Sequence, residues 1–369
     1  MSGSDPRISR RALLRGVSGT LAAGGLGACA RHLEPLPLPS AGEPGRPRRD
    51  LPPVGRGWSG RLPVVDFHTH LQRRVSAEEL VRLMDAAGVP RMILMPLYYR
   101  DSPRAVNDGE GSDEQAAEYA RRYPERFVPF VGMQRPDLVS EAIWWTPTTE
   151  ARWLVRETDA KLRSGEFFGM GEFMLRFYPY TNRFGIVAPS DMDYPADSYL
   201  MRTFADLSAR HHAPMVIHCE AEPRAADAMV RLLEKHPEAI VVWAHNCGRS
   251  SAWAIQALFT RFPNLYADLG GMVYSGPRVE AYGVYWPRRT PWMHLVVNDR
   301  GALLPEMKAL LEAHSDRFFA GTDVAHARVY EFYVTYLPRW RYVLSQLSAQ
   351  AARNIAFANA NRLLGSAPG

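Results

Sequence analysis

The sequence predicts a single (β/α)8 barrel, also called a TIM barrel, over residues 61–369. Eight short and almost continuously apolar segments follow one another from Leu62 onward, as is typical of parallel strands that are covered on both faces. Amphipathic helical stretches lie between them, and about 300 residues suit one barrel with a few long loops. No G-x-G-x-x-G pattern follows the first strand, which disfavours a doubly wound open sheet.

The elements can be placed one by one. The predicted strands are, in chain order, 62–68, 91–96, 126–132, 167–173, 213–219, 240–245, 264–269 and 317–322. Helical periodicity covers 76–88, 112–124, 226–237 and 304–314. The loops 97–111, 175–195 and 270–300 follow strands, and the last two are aromatic and proline-rich. Because barrel active sites are built at the carboxyl ends of the strands, these loops are candidates for the substrate pocket wall.

The positive charge of the chain is confined to its first sixty residues. The net charge is +5, from 44 basic and 39 acidic residues. Nine of the basic residues, all of them arginines, and four of the acidic residues lie within 1–60. The range 61–369 therefore holds 35 residues of each sign. A neutral barrel removes the main support for a nucleic-acid partner, and we expect none.

The N-terminal region predicts export and anchoring. Arg10 and Arg11 precede a short, weakly apolar stretch, which resembles a twin-arginine signal peptide over residues 1–28. Leu26-Gly27-Ala28-Cys29 resembles a bacterial lipobox, in which Cys29 would be lipidated. Residues 29–60 contain seven prolines and five glycines, which predicts an extended, mobile tether without a packed core. We therefore expect a lipoprotein of the cell envelope, held at a membrane by its lipid alone, with the folded barrel beginning near Arg61.

Polar side chains fall where the predicted strands end. The first strand ends in Asp66-Phe67-His68-Thr69-His70, and His68 and His70, two residues apart, share one face. The fifth, sixth, eighth and fourth strands end near His218, His245, Asp323 and Glu172. The carboxyl ends of barrel strands meet around one mouth, so these side chains should converge. Imidazole and carboxylate ligands suit a divalent ion, above all Zn²⁺, with Mn²⁺ as an alternative.

This order of H-x-H, His, His and Asp resembles the amidohydrolase superfamily. In particular, it is similar to the amidohydrolase-related enzymes that include aminocarboxymuconate-semialdehyde decarboxylase. The resemblance covers about 62–365 and is supported by GMGEF (169–173), VVWAHNCG (241–248), NLYADLG (264–270), RFFAGTDVA (317–325) and NIAFANANRLLG (354–365). It implies that His68, His70 and His218 are metal ligands. It also implies that Asp323 is a ligand and the proton acceptor for the attacking water, while His245 polarises the substrate or binds a second ion.

Several assignments stay open at this point. GMGEF resembles the segment that supplies a bridging glutamate in the TatD-like branch, so Glu172 is either a bridge between two ions or a carboxylate facing the substrate. Cys219 and Cys247 follow His218 and His245 closely, and we expect packed barrel cysteines rather than zinc ligands. Arg249 and His326 lie near the same face in sequence, and we predict that they contact the substrate.

These residues favour a metal-dependent hydrolase that activates water to cleave an amide, ester or lactone of a small molecule. The alternative is a decarboxylase of a small carboxylated aromatic or semialdehyde, which would need Arg249 or Arg176 to hold the carboxylate. A non-catalytic binding lipoprotein is disfavoured, because a barrel core needs no charged groups at its mouth. A TatD-type nuclease is disfavoured by the neutral barrel, and a homo-oligomer is compatible with the sequence.

Overall fold

A parallel sheet wrapped by helices makes up the computed structural model, which describes residues 34–38, 45–55, 60–98, 111–181, 187–188, 191–273, 292–325 and 327–365. Its strands are β1 Val65–Asp66, β2 His70–Leu71, β3 Arg91–Pro96, β4 Phe127–Gly132, β5 Gly169–Phe177, β6 Tyr180–Thr181, β7 Val187–Ala188, β8 Met192–Asp193, β9 Met215–Cys219, β10 Val241–Trp243, β11 Leu265–Asp268 and β12 Phe318–Phe319.

The main sheet runs in the order β1-β3-β4-β5-β9-β10-β11-β12, with every neighbouring pair parallel. β2 continues the first strand and also pairs with β3. A parallel bridge between Thr69 and Val324 joins the first strand to the last, and Phe67 N–H donates to the Ala320 carbonyl at 2.9 Å. The sheet therefore closes on itself, and the predicted (β/α)8 barrel is confirmed, with a strand inside each of the eight apolar segments.

Helices follow the strands along the chain. They are α1 Ala77–Ala87, α2 Asp113–Arg122, α3 Glu141–Trp145, α4 Thr149–Arg163, α5 Tyr199–His211, α6 Pro223–Lys235, α7 Ala252–Arg261, α8 Pro305–Ala313, α9 Ala327–Tyr330, α10 Tyr333–Leu344, α11 Ala349–Arg353 and α12 Asn359–Leu364, with a π-helical turn at Asn354–Ala358. Among the helices of the described ranges, none is long and apolar enough to cross a membrane.

Local sequence explains where many of these helices begin. A serine or threonine side chain accepts a hydrogen bond from a backbone N–H of the first turn at Ser76, Ser112, Thr148, Ser198, Ser251 and Ser348. Each cap satisfies one N–H group that the helix itself leaves unpaired. The strands are held by burial instead, since all six residues of β3 and all six of β4 are buried. Phe67 and Phe319 stack inside this core with ring centroids 4.0 Å apart.

The N-terminal segment differs from the tether predicted for residues 29–60. Its described parts, 34–38 and 45–55, contain neither helix nor strand, but Leu36, Leu51 and Val54 are buried. The expectation of a chain without a packed core is therefore wrong for these stretches, and folded contacts begin before Arg61. The physical reason is that the prolines alternate with leucines and arginines, which find partners on the barrel.

These partners lie at the ends where the barrel strands begin. Arg48 donates to the carbonyls of Phe168 and His212, and Arg49 donates to Phe127 at 2.5 Å. The backbone N–H and carbonyl of Val54 both pair with the Asn361 side chain. We call residues 34–38 and 45–55 the N-terminal strap, because they bind the amino-terminal face of the barrel to its last helix.

Candidate metal centre

The polar residues predicted from the strand ends converge at the carboxyl-terminal mouth of the barrel. His68, His70, Glu172, His218 and His245 are all buried, each with 2% exposure or less. Asp323 follows β12 and keeps 25% of its side chain exposed. The structure thus brings together all six residues that the sequence singled out as ligands or catalytic groups, and Asp323 is the member that faces the opening.

A first group of donor atoms surrounds one point. The Nε2 atoms of His68 and His70 lie 3.2 Å apart. The Glu172 carboxylate lies 3.5 Å from His68 and 3.4 Å from His70, and Asp323 Oδ1 lies 3.6 and 3.5 Å from the same two nitrogens. Ligand atoms about 2.0–2.1 Å from a tetrahedral zinc ion are about 3.3–3.4 Å apart, so this spacing fits a zinc ligand set.

A second group shares the same glutamate. Glu172 Oε1 lies 3.3 Å from His218 Nδ1 and 3.2 Å from His245 Nε2. The two imidazole nitrogens are themselves 2.8 Å apart. Glu172 is therefore the one residue that belongs to both groups. Its Oε2 faces His70, while its Oε1 faces His218 and His245 and also lies 3.5 Å from His68 Nε2. This is the position that a carboxylate bridging two cations would take.

Three of the four imidazoles have their outer nitrogen fixed by a hydrogen bond. His68 Nδ1 lies 3.0 Å from Asp268 Oδ1, His218 Nε2 lies 3.2 Å from Glu220 Oε1, and His245 Nδ1 lies 2.9 Å from the Gly270 carbonyl. An acceptor on that side holds the proton there, which leaves the other nitrogen as a lone pair directed into the cluster. Metal-binding histidines are oriented by partners of this kind.

One buried oxygen of the cluster indicates that a cation fits there. Glu172 Oε1 is buried and makes no hydrogen bond to the described residues, although three imidazole nitrogens lie within 3.5 Å of it. A buried carboxylate oxygen without a proton donor is costly. A cation shared with the imidazoles would satisfy it, so the donor set fits divalent metal ions.

The pKa shifts of the cluster also favour bound cations. Burial alone would raise the pKa of Glu172, but the positive charge of His68 and the neighbouring imidazoles of His218 and His245 hold it well below its usual range. Burial would lower the pKa of His68, whereas the charges of Asp268 and Glu172 raise it well above its usual value. Without metal ions, the carboxylates therefore draw protons onto the imidazoles, at the place where cations would bind.

Asp323 is a carboxylate at neutral pH. Burial would raise its pKa, but a hydrogen bond from His70 and the charges of His245 and His68 lower it to about 2. Its backbone lies in the left-handed region with φ 55°, which costs a residue with a side chain roughly 1–2 kcal/mol. The Asp323 N–H donates to the His68 carbonyl at 2.7 Å, and this bond holds the strained residue beside the cluster.

His245 lies on a longer left-handed segment. His245, Asn246, Cys247, Gly248 and Arg249 have φ between 53° and 65°, which makes a left-handed turn within Ala244–Arg249. Gly248 is required there, because a Cβ would lie 2.0 Å from the Cys219 carbonyl oxygen. Backbone strain concentrated in one place is characteristic of functional sites, where surrounding contacts stabilise it.

The remaining sequence predictions have different outcomes. Arg249 is completely buried and donates through Nη1 to Glu220, so its predicted contact with substrate finds no support in the described residues. His326 and Cys29 lie outside the described residues. Cys219 and Cys247 are buried, and burial raises the pKa of both thiols. Neither belongs to the groups of possible ligands found among the described residues.

Sequence reasoning missed three polar residues of the site. Asp268 and Glu220 hold histidines, and Gln134 donates to Glu172 Oε2 at 2.9 Å. Two signals were available: Asp268 ends the seventh strand, one of the strands to which no polar residue was assigned, and Glu220 follows His218 by two residues. Asp66 of the first motif stabilises the barrel itself instead. It accepts hydrogen bonds from Thr322, which follows β12, and from Tyr333 of α10.

Comparisons with solved structures show the same fold in other proteins. A candidate 2-pyrone-4,6-dicarboxylic acid hydrolase from Pseudomonas putida superposes with a TM-score of 0.50 at 14% identity, over 83% of this chain and 98% of that one. A 2,6-dihydroxybenzoate decarboxylase from Rhizobium gives 0.45 at 14% identity, over 83% and 99%. The first of these superpositions shows a shared fold, and identities this low do not identify the reaction.

Sequence comparisons give the family. No curated protein matches the chain. A family model described as TatD related DNase matches residues 65–275, which include β1 to β11 and five of the six converging residues. Because this match spans more than half of the chain, the protein belongs to the TatD related DNase family.

Proposed function

We propose that this protein is a hydrolase that uses two divalent metal ions, with Zn²⁺ as the first choice, to cleave an ester, amide or lactone of a small molecule. Glu172 carries the proposal, because its carboxylate lies within 3.5 Å of the imidazole nitrogens of both groups, those of His68 and His70 and those of His218 and His245. Membership of a family named after a hydrolytic reaction agrees with water as the attacking group.

The two groups divide the ligands between the ions. His68, His70, Glu172 and Asp323 would hold the first ion, while His218 and His245 would hold the second together with Glu172. Bound divalent ions supply electrophilic activation of the substrate and lower the pKa of water toward neutrality. Zn²⁺ suits the mixed nitrogen and oxygen donors, and Mn²⁺ would accept the same set.

Asp323 performs the proton transfer in this proposal. It is ionised at neutral pH, with a pKa of about 2 in the metal-free cluster, and it is the only one of the six converging residues with a substantially exposed side chain. It can accept the proton of the attacking water and return it to the leaving group. General acid–base transfer of this kind contributes roughly 10²–10⁴-fold to a rate.

The other residues keep the cluster ready for this step. Asp268, Glu220 and the Gly270 carbonyl fix three imidazoles, and Gln134 fixes Glu172. Because these partners are already in place, the donor atoms need little rearrangement when ions bind. Preorganised groups in a water-poor site stabilise charge that develops during the reaction.

Elemental analysis tests the metal proposal directly. The full chain, purified without chelator, should carry about two divalent ions, and Glu172→Gln should carry at most one. His314→Ala is the matched control, because it removes an imidazole at the end of α8, outside the cluster. Wild-type protein without zinc, manganese or iron would refute the proposal, and two ions in Glu172→Gln would refute the bridging role.

A substrate panel tests the reaction. Metal-loaded protein should hydrolyse nitrophenyl esters, anilides or lactones, and His68→Ala or Asp323→Ala should abolish turnover while leaving thermal unfolding close to wild type. A phosphodiester such as bis(nitrophenyl) phosphate belongs in the panel because of the family name. We expect small-molecule substrates rather than nucleic acid, since 61–369 is formally neutral. Cleavage of DNA alone would overturn that expectation.

Decarboxylation is the competing outcome of the same panel. It would need a cation for the substrate carboxylate, and both arginines that the sequence suggested are committed to glutamates. Arg249 pairs with Glu220, and Arg176 pairs with Glu222. Release of CO₂ from aromatic carboxylates, without hydrolysis of any ester, amide or lactone, would replace hydrolysis with decarboxylation.

We further propose that the barrel is exported by the twin-arginine route and anchored through a lipid on Cys29. The support is the order of Arg10-Arg11, the apolar stretch and Leu26-Gly27-Ala28-Cys29. Replacing both arginines with lysine should leave unprocessed precursor in the cytoplasm, and Cys29→Ala should release the protein from membranes. Normal processing of the double-lysine variant would contradict the export route.

A further inference from the structure

A second buried ion pair lies directly behind the cluster. Glu220 and Arg249 are both completely buried, and Arg249 Nη1 donates to Glu220 Oε1. The same Oε1 atom lies 3.2 Å from His218 Nε2. Glu220 follows His218 by two residues, and Arg249 follows His245 by four. The pair therefore joins the two chain segments that carry the two histidines of the second group.

The backbone joins these segments as well. Ala221 N–H donates to the Gly248 carbonyl at 3.0 Å, and the Trp243 indole donates to the Cys219 carbonyl at 2.7 Å. Gly248 allows this approach, since any Cβ there would collide with the Cys219 carbonyl. The loop after β9 and the left-handed turn after β10 thus form one unit, which presents His218 Nδ1 and His245 Nε2 side by side.

We propose that Glu220 and Arg249 are positioning residues that fix His218 and His245 as a pair for the second ion. This inference rests on the proposed two-metal site. Arg249 balances the charge of Glu220, so that this carboxylate orients the His218 ring instead of competing as a ligand. The ion pair also anchors the far end of the left-handed turn, whose near end is His245. The hydrogen bonds and ion pair of Glu220 described above lead to His218 and Arg249, and not to His68 or His70 of the first group.

The inference predicts a selective loss of one ion. In the full chain, Glu220→Gln and Arg249→Met should each weaken the binding of one Zn²⁺ about 10–100-fold, which is the effect expected for partners behind metal ligands. The other ion should keep its affinity within about threefold. Competition titration against a chelator resolves the two constants, and elemental analysis after dialysis should fall from two ions toward one. Arg249→Lys, which keeps the positive charge, should retain most of the wild-type Zn²⁺ affinity at this position.

The matched control is Glu222→Gln. Glu222 lies on the same loop as Glu220, and its replacement breaks the ion pair with Arg176 of β5 without changing a histidine of the cluster. It should lower thermal stability comparably while both ions stay bound. Unchanged affinity for both ions in Glu220→Gln, or an equal loss of both, would overturn the inference while leaving the two-metal site intact. Wild-type protein without ions would overturn both. If Arg249→Met does not fold, the near-isosteric Glu220→Gln decides alone.

Discussion

Replacing Asp268 with asparagine removes a charge behind the cluster while keeping its shape. Asp268 is completely buried, and its Oδ1 accepts from His68 Nδ1 at 3.0 Å and from Gly270 N–H at 2.8 Å. In Asp268→Asn the amide oxygen can keep both hydrogen bonds, so the local backbone should stay in place. What is lost is the negative charge that holds the proton on His68 Nδ1 and strengthens Nε2 as a ligand.

The size of this effect follows from two independent estimates. A hydrogen bond to a charged group contributes about 1.5–3 kcal/mol. Loss of a partner behind a metal ligand typically costs 10–100-fold in metal affinity, or about 1.4–2.8 kcal/mol at 1.4 kcal/mol per factor of ten. The estimates overlap, so Asp268→Asn should weaken the ion bound by His68 by about 10–100-fold. Asp268→Ala, which also leaves Gly270 N–H unpaired, should weaken it further and destabilise the metal-free fold.

The assay is a Zn²⁺ titration in competition with a chelator, with thermal unfolding of the metal-free protein as the control for folding. An affinity within twofold of wild type would refute the role given to Asp268. Complete loss of one ion at millimolar zinc would show instead that Asp268 is a direct ligand, as its place in a group with His68 and His245 also allows.

Three further predictions concern protons and stability. Because carboxylates raise the pKa of His68, His70 and His218 in the metal-free cluster, Zn²⁺ must displace protons. Its affinity should rise with pH, and the heat of binding measured by calorimetry should change with the ionisation enthalpy of the buffer, because released protons bind to the buffer. Observed heats that are the same in all buffers would contradict this. Asp159 is buried, and although burial opposes the shift, His211 and Arg163 lower its pKa. Its stabilisation is therefore present above the unfolded value near 3.8 and is lost as pH falls below it. Asp159→Asn should lower the free energy of unfolding by about 1–3 kcal/mol at pH 7, and a difference that persists at pH 2 would contradict the assignment. Leu51→Ala in the N-terminal strap should cost about 2–4 kcal/mol in urea unfolding without changing the ion content, whereas an unchanged midpoint would show that the strap contributes nothing.

The fold and the convergence of the candidate ligands could be predicted because both leave one-dimensional signals. Parallel strands covered on both faces must be apolar along their length, and β3 and β4 were readable for this reason. Candidate ligands such as His218 interrupt those apolar runs at a fixed end, and the barrel topology then places them together. Neither inference needed knowledge of which side chains touch.

The partners behind the ligands could not be predicted in the same way. Asp268 pairs with His68 across 200 residues of sequence, and Arg249 pairs with Glu220 across 29. A buried arginine near an active site is as easily assigned to the substrate as to a glutamate, and the choice depends on packing. The left-handed turn was equally hidden, because Gly248 is its only glycine and the strain at His245 and Cys247 is stabilised by tertiary contacts.

If the chain is anchored through Cys29, as we propose, the N-terminal strap would limit how far the barrel could move from the membrane surface. Had folded contacts begun at Arg61, an anchor at Cys29 would have allowed about 110 Å of reach, at roughly 3.5 Å per residue. Leu36 is already buried on the barrel, and its N–H donates to Thr203 Oγ1 at 2.7 Å. Leu36 is only the seventh residue after Cys29, which would limit the reach to about 25 Å. Such a short connection would keep the protein in a thin layer along the membrane. There it would meet molecules that cross or leave that membrane before it meets molecules of the bulk solution.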